Sequence, residues 1–350
     1  MTRYRLSVGL LVGLAACSGG GGDSAERING EAASVGDLDG ATQLAIDAVI
    51  IGSRHFYGIG PTRAGDPQPD PEPKPEPEPD PFPLPLPGSL PGSPSSKSAR
   101  NCDSGTHRET ERNESVVTPY GTVGMEIVRQ QYDHCRTNEG PESDRGRHYQ
   151  LYHGASEFGR SEDQSLSYSG GSAADGTGAL RLDYYYQDFE SGQRSRLSVW
   201  YLGEHYEQQN PEHGDARAHQ RYDLEWILDG KLLERSVEAF GTEQHPFHAN
   251  QTADGLALTG HYERQFGSCD RSVAELQTVS RLVFDADLGH FTAGELQISQ
   301  GEASSRARFD SAGQLHIQTS DGATRTLTRD EVDQAAADCD FPVILTDNSE

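Results

Sequence analysis

Five histidines fall close together in the chain: His205, His213 and His219 in EHYEQQNPEHGDARAH, then His245 and His248 in HPFH. With Glu204, Glu212 or Asp215 as oxygen donors, these residue types could hold a transition metal. The spacing argues against it. No His-Glu-x-x-His helix pattern occurs, and the Asn210-Pro211 step marks a polar loop, so the stretch reads as solvated chain with no metal. Glycoside hydrolysis needs two carboxyl groups ~5–10 Å apart across a cleft. Among fifty-five acidic residues almost any pair could be nominated, so the sequence singles out none. The Gly-x-Ser-x-Gly elbow is missing, and Ser156, Ser172 and Ser268 sit in glycine-containing turns. SYSGGSAADGTGAL is glycine-rich but precedes a strand, whereas a phosphate cradle needs the helix N-terminus that follows such a loop. We therefore expect a loop or hairpin tip there, no catalytic residue and no cofactor.

Two sets of residues carry more. The row DYYYQDF with VWYL puts Tyr184 and Tyr186 on one face of a strand, with Tyr185 and Trp200 expected on the other. Exposed aromatics on a sheet can stack on sugar rings or bind peptide, and the same row can also be a sheet core that uses tyrosine as its large residue. The second set is the cysteines. Beyond Cys17 there are four, Cys102, Cys135, Cys269 and Cys339, with no Cys-x-x-Cys spacing for zinc or redox chemistry. An even number suits two disulfides in an oxidising compartment. Three pairings are possible; Cys102–Cys135 with Cys269–Cys339 is preferred because each then closes its own half of the domain.

The N-terminus says where such a compartment would be. Arg3 and Arg5 precede an apolar run from Leu6 to Ala16, too short for the ~20 residues that span a bilayer and suited to a signal peptide. Its end, Leu14-Ala15-Ala16-Cys17, resembles the lipobox of bacterial lipoproteins. The resemblance covers about the first seventeen residues. It implies cleavage before Cys17, acylation of the Cys17 thiol and, with Ser18 rather than aspartate next, delivery to the outer membrane. Two or three acyl chains would anchor the protein stably to the membrane, its domain facing the periplasm or the cell surface.

The rest of the chain divides by composition. Residues 1–16 are the signal peptide and 17–38 a flexible tether; 39–60 form a short apolar helical segment that docks on something. Residues 61–100 are a proline-rich linker, 66–87 having proline at every second position. Alternating prolines hold a chain extended at ~3.1 Å per residue, so this run reads as a spacer of roughly 70 Å between lipid and domain. Residues 101–350 form the disulfide-containing β domain. Alternation in ALRLDYYYQD, RLSVWYLGEHYE and RYDLEWIL, the Asp229-Gly230 and Asp321-Gly322 turns, and the later meander predict about a dozen antiparallel strands. A curved sheet, an open barrel or a sandwich would all satisfy that pattern. Thr328 with Glu331 marks the capping box of a short C-terminal helix.

The formal charge of −26 excludes nucleic acid as a partner, since phosphate repels such a surface. The reading that results is an envelope lipoprotein with a non-catalytic binding or structural β domain, its partners the membrane and an envelope protein or glycan. An envelope hydrolase acting on glycan or peptide, and a carrier of a lipid or other apolar ligand, are the alternatives.

Overall fold

Alternating runs become strands throughout the computed structural model, which describes residues 32–56, 102–138, 146–172, 180–189, 191–209, 213–266, 269–285 and 288–339. The expected signal peptide, Cys17 and the proline-rich run lie outside these residues. The protein is all-β with a short C-terminal helix, as the alternation predicts. The strands are β1 (Ser104–Thr118), β2 (Gly121–Asn138), β3 (Gly146–Ser161), β4 (Leu166–Ser172), β5 (Leu180–Asp188), β6 (Arg194–Gln209), β7 (His213–Leu228) and β8 (Lys231–Phe240). They continue as β9 (Phe247–Thr252), β10 (Gly255–Gln265), β11 (Ser272–Asp285), β12 (His290–Gln300), β13 (Ala303–Phe309), β14 (Leu315–Thr319) and β15 (Thr324–Leu327). Helix α1 (Leu38–Ile50) runs into a π-helical turn over Ile51–Phe56, and α2 (Arg329–Asp338) follows the last strand.

All the strands join one antiparallel sheet. Two positions in it are shared end to end. The first half of β3 pairs with β5 and the second half with β4, and β6 pairs with both in turn. Likewise β8 and β9 share the place between β7 and β10. Where the long strands change partners the backbone is re-aimed by glycine: Gly203 on β6 has φ +113° and Gly260 on β10 has φ +133°. A Cβ at Gly203 would lie 2.1 Å from the His219 carbonyl oxygen, so only glycine fits that crossing. Strands β4 and β5, which flank the glycine-rich stretch, do not pair with each other, and residues 173–179 between them lie outside the described residues. The Asp229-Gly230 turn closes the β7–β8 hairpin with positive φ at both residues, the geometry such hairpins require.

One face of the sheet carries the main core. Ala216, Ala218, Phe240, Phe247, Leu258, Tyr262, Leu276, Ile298 and Ile317 point to it from β7–β14. Against them lie Ala41, Leu44, Ala45, Ile46, Ala48, Val49 and Ile50, so α1 is buried on nearly every side, and Asp37 caps its start. This explains why the segment is apolar all round. The same face continues into a second cluster built from Tyr132, Tyr152, Leu180, Leu182, Tyr184, Leu197, Tyr201, Tyr222 and Leu224.

Buried charge fastens the helix. Asp47 on α1 receives a hydrogen bond from Arg264 Nη1 at 2.7 Å, and Arg264 Nε donates to Glu238 at 3.0 Å. Arg264 Nη1 also reaches the Cys339 carbonyl at 2.8 Å, and Ser272 Oγ donates to Asp47. Burial pushes the Asp47 carboxyl above its ordinary range, against the pull of Arg264 and the hydrogen bonds from Ser272 and Gln43. The cluster therefore locks position more than it adds stability. Both preferred disulfides are present, Cys102–Cys135 and Cys269–Cys339, and the second holds the end of α2 beside this cluster.

The helix corrects the division of the chain. The segment expected apart from the β domain is one of its core elements, because Phe56 is fully buried against Phe240 and Phe247. The proline-rich run therefore begins and ends on the same folded unit. Ahead of α1, Ala33 N donates to the Arg271 carbonyl just before β11, at 2.9 Å.

Candidate functional site

The opposite face of the sheet begins with a fold-back. Tyr120, in the β1–β2 turn, donates to Asp215 Oδ1 on β7 at 2.7 Å. Strands β2 and β7 are four places apart, about 19 Å on a flat sheet, so the bond requires the sheet to curl towards this face. Met125, Ile127 and Leu166, with Tyr168 against them, pack beneath the curl. Asp215 Oδ2 meets His248 Nε2 at 2.5 Å and Asn250 Nδ2 at 3.4 Å, and Arg217 Nε lies 3.6 Å from Oδ1. Burial acts to raise the Asp215 carboxyl, but hydrogen bonds from His248 and Tyr120 and the nearby positive charge hold it below the usual range. Burial and the Asp215 bond push the Tyr120 hydroxyl well up, so it stays protonated and donating. This is a closed polar tie in which each group is engaged by another.

The histidine stretch is mostly strand, not the solvated loop the sequence suggests. Residues 204–209 belong to β6 and 213–219 to β7, with only 210–212 outside the described residues. His205 stacks on Phe56 in the core, at 6.3 Å between ring centroids. His219 faces Glu204 at 3.8 Å, His248 serves Asp215, and His245 sits in the exposed turn before β9. Alternation separates them onto two faces, and among the described residues no three of these groups converge as metal ligands.

Further along that face, β2, β3, β5 and β6 present an open polar and aromatic surface. The register aligns Tyr149, Tyr185 and Arg196 in one row, Arg136, Leu151, Asp183 and Ser198 in the next, and His153, Arg181 and Trp200 in a third. Tyr149 and Tyr185 stack at 4.4 Å with planes 13° apart. The Arg136 guanidinium lies 4.2 Å above Tyr149, and that of Arg181 lies 5.2 Å from the Trp200 ring. Arg181 Nε donates to the buried Asp183 at 3.0 Å, which fixes its fork beside the indole. Arg196 Nε has no hydrogen-bond partner. Burial raises the Tyr149 hydroxyl above its ordinary range, with Tyr185 adding to it and Arg136 opposing.

The pleat divides the four aromatics between two faces, as the alternation predicts. Tyr184 is core. Tyr186 follows it on the same face, its hydroxyl on Asp188 at 3.2 Å. Tyr185 and Trp200 stand on the open face as expected. The sequence reading missed Tyr149, Arg136, Arg181 and Arg196, because cross-strand neighbours are set by register and not by chain proximity. What this arrangement can do is stack on a planar or ring-shaped group while guanidinium groups hold its negative charges. Comparison with family models, with curated proteins and with solved structures gives no match for this chain.

Proposed function

We propose that this chain is a lipid-anchored envelope protein whose β domain binds an acidic glycan, without catalysis, on the Tyr149–Tyr185–Trp200 face. The observation that carries this reading is the stacked tyrosine pair flanked by Arg136, Arg181 and Arg196 on one open sheet surface. In a chain of formal charge −26, three arginines grouped with aromatics stand out as a local exception. The two disulfides agree with an oxidising compartment, and the lipobox resemblance at Cys17 supplies the anchor. α1 fills the space against β10–β14, which leaves a carried lipid no room on that part of the core face.

The test is calorimetric titration of the full chain in detergent with carboxylated and neutral oligosaccharides of equal length. Binding of the acidic series, weakened about tenfold or more by Tyr185→Ala and by Arg196→Ala, is the expected result. Equal binding of both series, or affinity indifferent to both substitutions, would refute it.

A further inference from the structure

Near Cys135 the β2–β3 ladder slips. Tyr132 pairs with Gly154 and Cys135 with Tyr152, so Asp133 and His134 together oppose His153 alone. An extra residue on one strand is a β-bulge, which bends that strand and re-aims its side chains. His134 takes φ +48°, a left-handed conformation uncommon outside glycine. Two features hold it there. The Cys102–Cys135 disulfide pins the next residue, and Gly105 on β1 lies so close that a Cβ would fall 2.1 Å from the His134 carbonyl oxygen.

The bulge gathers three donors. His134 Nδ1 stands 2.6 Å from Asp133 Oδ1, and His153 Nδ1 stands 3.8 Å from the same oxygen. The two imidazoles are 4.6 Å apart, and one ligand atom from each residue lies within 4.8 Å of the others. His153 Nδ1 is enclosed and has no hydrogen-bond partner, which a surface imidazole placed only for solubility would not need to tolerate.

We propose that Asp133, His134 and His153 form a binding site for a divalent transition-metal ion of the zinc class. Two imidazole nitrogens and one carboxylate oxygen are the donor set of open zinc sites, whereas calcium and magnesium prefer all-oxygen shells. Zinc bonds of ~2.0–2.2 Å in tetrahedral geometry place ligand atoms roughly 3.4 Å apart. The observed 3.8 Å is close to that, and His134 and Asp133 are exposed enough to rotate through the remainder. The fourth position faces solvent and takes water. The site shares a register row with Arg181 and Trp200, but its donors are complete without them and it stands independently of the glycan reading.

The experiment is titration of the chelator-treated full chain with zinc chloride by calorimetry, repeated with cobalt(II) followed by its visible absorption. One tight equivalent is expected, with His134→Ala, His153→Ala and the near-isosteric Asp133→Asn each lowering affinity at least about tenfold and bleaching the cobalt band. His261→Ala, on β10, should leave both readouts unchanged. Far-UV spectra matching the parent chain secure the fold of each variant. No bound equivalent, or an affinity and cobalt spectrum indifferent to all three substitutions, would overturn the site.

Discussion

The two ends of the sheet solve the same problem differently. From β7 to β14 the core face is covered by α1, and a buried Asp47–Arg264–Glu238 cluster joins helix, sheet and the Cys339 carbonyl. Towards β1 the core cluster includes no residue of α1 or α2, and tyrosines share it with leucines, as in the Tyr201–Tyr222 and Tyr132–Tyr152 stacks. The difference teaches where recognition can reside. A face filled by its own helix has no room for a ligand, while a tyrosine-built sheet leaves its other surface open and furnished with rings and charge.

Deletion of residues 32–56 is the strongest way to break this contrast. It should abolish the cooperative fold of the C-terminal half, read as lost protease resistance of β9–β15. A protease site placed in residues 88–99 sharpens it instead. After cutting, the fragment bearing α1 should stay bound to the domain without a covalent link, because α1 is buried in the main core of the sheet. Co-elution in gel filtration checks this, and separation of the fragments would refute it.

Arg264→Ala comes next, at about 3–5 kcal/mol in denaturant unfolding, since it leaves the Asp47 and Glu238 carboxyl groups buried without their guanidinium. Removing Cys269 and Cys339 together should cost up to about 4 kcal/mol by chain entropy, and removing Cys102 and Cys135 somewhat less, the loops spanning 70 and 33 residues. Non-reducing gel mobility of single variants should change in those same two pairs.

Smaller is the Tyr120–Asp215–His248 tie. Because the folded Asp215 carboxyl lies below its ordinary range, its contribution is fully present above the unfolded value of about 3.9 and is lost as pH falls through the folded value. Asp215→Asn should cost about 1–3 kcal/mol at neutral pH and flatten the acid limb of the stability profile. An acid limb identical to the parent's would count against the tie. Tyr185→Ala should be smallest in stability, about 1 kcal/mol, for a stacked ring on an open face.

Some of this was legible and some was not. Leu180, Leu182 and Tyr184 on one face, the Asp229-Gly230 hairpin and the Thr328–Glu331 capping box emerged as read, each being a local pattern with a local cause. Strand β1 left no such trace. SGTHRETERNESVVT is polar on both faces, because an edge strand held through its backbone needs no apolar row. Asp47 sits in an apolar stretch with no basic partner nearby in sequence, and its partner Arg264 lies 217 residues away. Bulges such as Asp133-His134 leave no periodic signature either, since one extra residue is visible only against its partner strand.

By itself, the sequence determined the elements: alternation made strands, turn residues placed hairpins, and a lone apolar stretch became a helix, all set by interactions within a few residues. Only the tertiary structure decided what those elements enclose. It drew α1 into the β domain, so that the residues on either side of the run DPQPDPEPKPEPEPDPFPLPLP both pack on the one sheet. It also selected which tyrosines face solvent and which histidines meet. Register and burial are properties of pairs of distant segments, and no single segment carries them.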